Sequence, residues 1–214
     1  ASQAAGFDAV PPYTTEQVAE QNWVQLTQSQ FDPIRITERL WIVPSWHEAP
    51  DPDAINIELD PGMAFGTGSH PTTRLCLEWL CEVVEPGLSV LDYGCGSGIL
   101  GIAAGLLGAS DILGVDIDDK AVEAARDNAA RDRVTMRVQH SAEPLAETFD
   151  LVVANILTNP LCVLAPAIAA RVAPAGRIAL SGVLESQAGQ VIEAWAPHLS
   201  LRVGATSEGW VRLE

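Results

Sequence analysis

Nothing in the sequence constrains the fold more than the rhythm that begins at Ser89: strand, glycine turn, helix, repeated. Strands are predicted at 89–93, 111–116, 134–138, 149–154 and 176–182, with helices near 98–107, 119–131, 158–172 and 186–196. Alternation of this kind builds a mostly parallel sheet covered on both faces. The tail departs from it. Ser200 to Val203 and Trp210 to Leu213 read as two short strands around Thr206-Ser207-Glu208-Gly209, a terminal antiparallel hairpin that raises the count to seven. The expected fold class is therefore α/β.

Ahead of this rhythm, residues 1–13 read as a flexible lead. Thr14 and Gln17 fit a capping box, and Ala19, Trp23 and Leu26 share one face of a helix ending near Gln30. Ile34 to Val43 alternates as a strand closed by Pro44, and Asn56 to Leu59 is a second strand, so a small β-ribbon is expected. The divisions are 1–30 for lead and linker helix, 31–60 for the ribbon and 61–214 for the main domain. A chain of 214 residues has room for that one domain and a short extension.

Twelve basic residues stand against 28 acidic ones, a net charge of −16, and Lys120 is the one lysine. Such a body repels phosphate backbones, which disfavours stable nucleic-acid binding and favours a basic protein partner or a cationic ligand. Acidity is also ordinary in soluble bacterial proteins. Cys76, Cys81, Cys95 and Cys162 form no C-x-x-C pair and have no histidine at zinc spacing, so reduced thiols, a cytoplasmic location and no metal are expected. Residues 1–12 lack the basic start and apolar run of a signal peptide. Tyr93 to Ser110 is uncharged over 18 residues, but its glycines at 94, 96, 98, 101, 105 and 108 argue for strand, turn and buried helix rather than a membrane span. The chain starts without methionine, which fits a fragment or a processed form.

The chemistry begins at Val90-Leu91-Asp92-Tyr93-Gly94-Cys95-Gly96-Ser97-Gly98. Glycine in such a turn permits positive φ and close approach of a ligand to the main chain, and the helix start adds a positive dipole end. Tight strand-to-helix turns need glycine for their own sake too. Asp116, 22 residues beyond Gly94 at the end of the second strand, can accept both hydrogen bonds of a ribose diol. That pairing serves a dinucleotide or S-adenosylmethionine. Here the spacing is G-x-G-x-G and not G-x-G-x-x-G, and Asp92 beside the turn suits a cationic amino-acid end better than a pyrophosphate. The methyl donor is the better fit.

Asn155 closes the fourth strand, where an open parallel sheet places its ligands. Its amide and neighbouring carbonyls can hold a nucleophilic amine, or Asn155 can cap the helix that follows. The loop from Asp60 to Thr73 is expected to fold over the ligand and cover it with Phe65. His70 within it is a base or, more in keeping with a histidine beside proline at a helix start, a capping or packing residue. His47, His140 and His198 read as surface, and Trp41 and Trp46 as packing for the ribbon. No Ser/His/Asp triad, H-E-x-x-H or Walker loop is present.

These motifs in this order resemble the bacterial ribosomal protein L-eleven methyltransferase family. The likeness rests on Arg39 to Trp46, the loop Leu59 to Thr73, Asp92 to Leu100, Asp116-Ile117-Asp118, Ala154-Asn155-Ile156-Leu157, and Leu180 to Leu184 with Gln187. Ser69 stands where the family has threonine. The resemblance implies a Rossmann-like class I fold using S-adenosylmethionine to trimethylate lysine side chains and the N-terminal amine of the stalk-base ribosomal protein. It implies cofactor contacts from Thr73, Gly94, Asp116 and Asn155; Phe65, Gly96 and Ile117 are further candidate contacts, and Asn155 is also the catalytic candidate. Family members carry an N-terminal recognition domain, and this chain begins at about the linker, as an isolated catalytic domain would. A basic ribosomal protein substrate and a monomer are expected. Alternatives are an N-methyltransferase of another protein, a small molecule or nucleic acid, a nonenzymatic nucleotide-binding module, or a dinucleotide oxidoreductase. Ile156-Leu157-Thr158 departs from the Asn-Pro-Pro-aromatic pattern of adenine-modifying enzymes.

Overall fold

A computed structural model describes residues 31–60 and 68–214; the expected linker helix and Phe65 lie outside them. The seven-stranded sheet is made by β4 (Ser89–Tyr93), β5 (Asp111–Asp116), β6 (Arg137–His140), β7 (Phe149–Asn155), β8 (Val172–Leu184), β9 (Val203–Ser207) and β10 (Trp210–Leu213). Its order is β6-β5-β4-β7-β8-β10-β9. The first five strands run parallel, and β10 enters antiparallel between β8 and β9. This is the mostly parallel seven-stranded sheet expected from the sequence, with the antiparallel hairpin at its edge.

Alternation along the central strands divides the core in two. Val90 of β4 and Leu151 and Val153 of β7 face one apolar cluster, shared with Trp79, Leu80 and Ile102. Leu91, Val152 and Ala154 face the other, with Leu113, Phe149 and Trp195. A period of two with both faces apolar is what a parallel strand buried on both sides requires. The first face is covered by α1 (Pro71–Val83) and α2 (Ile99–Leu107). The second carries α4 (Thr158–Val163), α5 (Ala165–Ala169) and α6 (Ala188–Trp195), and α3 (Asp119–Arg131) packs against β5 and β6. None of the helices in the described residues is long and apolar enough to cross a membrane.

The expected ribbon is a three-stranded sheet of order β1-β2-β3, with β1 at Ile34–Arg35, β2 at Leu40–Val43 and β3 at Ile55–Glu58. The run from Ile34 to Val43 is not one strand but folds back on itself, Ile34 pairing with Ile42, and β3 joins β2 in parallel. Asp60 just beyond β3 is held by the Ser45 N–H at 2.8 Å and by Arg131 of α3 at 3.4 Å. Thus the end of β3 that leads toward α1 is tied both to the end of β2 and to α3.

Candidate active site

Because β5 lies on one side of β4 and β7 on the other, the chain leaves the two central strands in opposite directions. A crevice opens at their carboxyl ends. A cavity of about 660 Å³ occupies it, a size suited to a cofactor. Its lining comes from the turn after β4 (Gly94, Cys95, Gly96), from Asp116 and Ile117, from Ser141, and from Asn155, Ile156 and Leu157. Gly182, Trp210 and the start of α1 at His70, Thr72 and Thr73 also contribute, and most of the remaining wall is apolar.

The glycine turn has the conformation expected of it: φ is +78° at Gly94, +54° at Gly96 and +81° at Gly98. Gly94 and Cys95 donate their N–H groups to the Val115 carbonyl at 2.7 and 3.0 Å, so the turn is fastened to β5. Gly96 donates to Asp116 Oδ2 at 2.8 Å, and Asp118 donates to Asp116 Oδ1 at 3.0 Å. Those two bonds fix the carboxylate plane and leave lone pairs on both oxygens. They also occupy the Gly96 N–H, a donor that a pyrophosphate would need.

Asp92 departs from the expectation. It shares the face of Val90, is fully buried, and accepts the Gly101 N–H of α2 at 3.0 Å through Oδ2. Asp92 is not among the residues that line the cavity. Burial pushes its carboxyl up to about 7, against the Gly101 bond, and the nearby Asp116 charge adds to the rise. Burial likewise pushes the Cys95 thiol far up, so Cys95 is no thiolate nucleophile.

On the opposite wall Asn155 donates from Nδ2 to Thr73 Oγ1 at 3.2 Å, joining the end of β7 to α1. It does not cap the next helix: the cap position of α4 is Leu157, with no side-chain hydrogen bond. Asn155 lines the cavity, and its capping reading is not the one realised. His70 is the cap of α1, its Nδ1 accepting the Thr72 N–H at 3.3 Å and lying 2.8 Å from Thr72 Oγ1. Its ring stands edge-on to Trp210 with centroids 4.8 Å apart. With Nδ1 committed, the capping and packing role is the one realised.

Several lining residues carry no sequence signal of their own. Ser141 follows β6 and donates its N–H to the Asp116 carbonyl at 2.7 Å. Placing the end of β6 correctly would have pointed to it, since every parallel strand ends at the site. Trp210 reaches the cavity because β10 inserts next to β8, which no local motif announces. His140, read as surface, instead bridges the loops after β5 and β6. Its Nε2 lies 2.8 Å from the Ile117 carbonyl, and its Nδ1 accepts the Ala142 N–H at 3.1 Å. Ile117 beside Asp116 is 79% exposed, an apolar side chain with no partner surface of its own. Among the described residues no cluster of histidine, cysteine, aspartate and glutamate could hold a metal ion.

Comparison with known proteins places this geometry. A ribosomal protein L11 methyltransferase of Dechloromonas aromatica (strain RCB) is 63% identical over 213 residues, covering 100% of this chain and 72% of that protein. A solved ribosomal protein L11 methylase from Lactobacillus delbrueckii subsp. bulgaricus superposes with a TM-score of 0.78 at 34% identity, over 86% of this chain and 97% of that one. A T. thermophilus 16S rRNA methyltransferase in complex with AdoMet and guanosine shares the fold, at a TM-score of 0.59 and 22% identity over 70% of this chain and 44% of its own. The family model described as ribosomal protein L11 methyltransferase matches residues 2–214. With that match and these identities, the chain belongs to the ribosomal protein L11 methyltransferase family.

Proposed function

We propose that this chain uses S-adenosylmethionine to methylate ribosomal protein L11, carrying lysine side chains and the N-terminal amine to the trimethylated state. One observation carries the reading: a diol-accepting carboxylate, Asp116 tied to the Gly96 turn, shares a single cavity with the Asn155–Thr73 pair. The family membership supports it. Asp116 would hold the ribose hydroxyls, Gly94 and Gly96 would admit the cofactor close to the main chain, and Ile117 would lie against its base. Thr73, which the family resemblance implies, and Phe65 of the covering loop would complete the set. The bound donor supplies a methyl group activated by positive sulfur.

The chain's residues then supply alignment and a dry environment. Asn155 Oδ1 and nearby carbonyls accept the hydrogens of the incoming amine and aim its lone pair. A free lysine has a pKa of about 10.4 and arrives protonated. The cavity wall lowers that value, because it is largely apolar and its one carboxylate among the described lining residues, Asp116, belongs to the ribose end. Water outside can take the proton, and no side chain in the cavity is assigned as a base. Replacing Asn155 with alanine is expected to slow methyl transfer by about a hundredfold, the cost of misaligning reacting groups. Mass spectrometry of L11 after incubation reads both rate and position. Methyl groups absent from lysines and the N-terminus, or an Asn155→Ala variant of full activity, would reject the proposal.

A further inference from the structure

Ile156 follows Asn155 out of β7 and is held from both sides by glycine. Asn155 pairs with Ser181 across β7 and β8, so Gly182 lies directly alongside Ile156. A Cβ on Gly182 would overlap the Ile156 carbonyl oxygen and come within 2.7 Å of its carbon and 3.1 Å of its nitrogen. On the β4 side, a Cβ on Gly94 would overlap Cγ2 of the same isoleucine. Both glycines have positive φ, +84° and +78°. One contact grips the Ile156 peptide group and the other grips its side chain. The two together confine Ile156 at the cavity wall, next to Asn155.

We infer that Gly182 is a positioning residue for methyl transfer: by contact with the Ile156 backbone it sets the carbonyls and the Asn155 amide that receive the acceptor nitrogen. This rests on Asn155 serving the acceptor, as proposed above. Gly182 itself lines the cavity at some remove from Asp116 and the glycine turn, which lie on the other side of β7. It therefore acts on the transfer step rather than on the hold of the cofactor.

The test compares Gly182→Ala with the unaltered protein in calorimetric S-adenosylmethionine binding and in methyl transfer to L11. Cofactor affinity should stay within about threefold while transfer falls by about a hundredfold, the loss expected from a shift near 1 Å. Ile156→Ala should partly restore Gly94→Ala, whose obstruction is a side chain, and should leave Gly182→Ala unrestored, because its obstruction is backbone. If Gly182→Ala does not fold, Ile156→Gly loosens the same grip without adding an atom and should show the same split. Normal transfer in that folded variant or in Gly182→Ala would overturn the inference, as would equal losses of binding and transfer, or restoration of Gly182→Ala by Ile156→Ala. An Asn155→Ala variant of full activity would instead remove the reading on which it rests.

Discussion

Each oxygen of the Asp116 carboxylate already accepts one backbone N–H, from Gly96 and from Asp118, so a vicinal diol must use the lone pairs that remain. Substituting Asp116 with alanine should cost about 1–3 kcal/mol of cofactor affinity, the range for lost charge-assisted bonds. It should also lower the melting midpoint without cofactor, because the Gly96 N–H loses its acceptor. Calorimetry and melting separate the two effects. Asp92 gives a different signature. Its folded carboxyl is raised from 3.8 to about 7, so the unfolded chain releases that proton first. Its contribution to stability is full below about pH 4 and is lost as pH rises to about 7. Asp92→Asn should remove that part of the slope in melts recorded across the window, and an unchanged slope would show that another group causes it. Asp116 was legible, as a cavity residue, because an acidic strand end beside a glycine turn lies at the carboxyl-end crevice of a parallel sheet. Asp92 was not, because a single step along a strand exchanges faces, and the motif does not say which face a helix covers.

At the scale of elements, the alternating rhythm was legible and several boundaries were not. Val134, Met136 and Val138 alternate like a strand, yet pairing starts at Arg137. The earlier side chains instead fill glycine gaps: Met136 against Gly101 and Gly114, and Val134 against Gly105. Apolar periodicity marked burial there, not pairing. The expected helix 158–172 is two helices, α4 and α5, separated at Leu164. Pro166 lacks the N–H that would continue the first, a signal present in the sequence and outweighed by its apolar run. The hairpin strand expected at 200–203 runs from Val203 to Ser207, and its register against β10 shifts between Arg212 and Leu213. The Gly105 contact is testable. Gly105→Ala should gain about 1 kcal/mol of helix propensity and lose about 1–3 kcal/mol to overpacking against Val134. A lower melting midpoint is expected, and the double variant with Val134→Ala should lose less than the two singles together. Simple additivity in the melts would show that the two residues do not meet.

For the molecule as a whole, strand order decides where chemistry can happen. The reversal between β5 and β7 about β4 brings Asp116, the glycine turn and Asn155, far apart in sequence, to one cavity. The parallel sheet could be read from the alternation, and two of the walls from their motifs. Ser141 after β6 and Trp210 on β10, on opposite sides of the central strands, depend on long-range pairing and became visible only in the folded chain. The central claim is that this cavity takes a methyl donor and not a dinucleotide. Its most direct test is isothermal titration of the chain with S-adenosylmethionine and, separately, with NAD⁺. The account predicts one-site heat with S-adenosylmethionine, weakened in Asp116→Ala, and none with NAD⁺; saturable heat with NAD⁺ alone would contradict it.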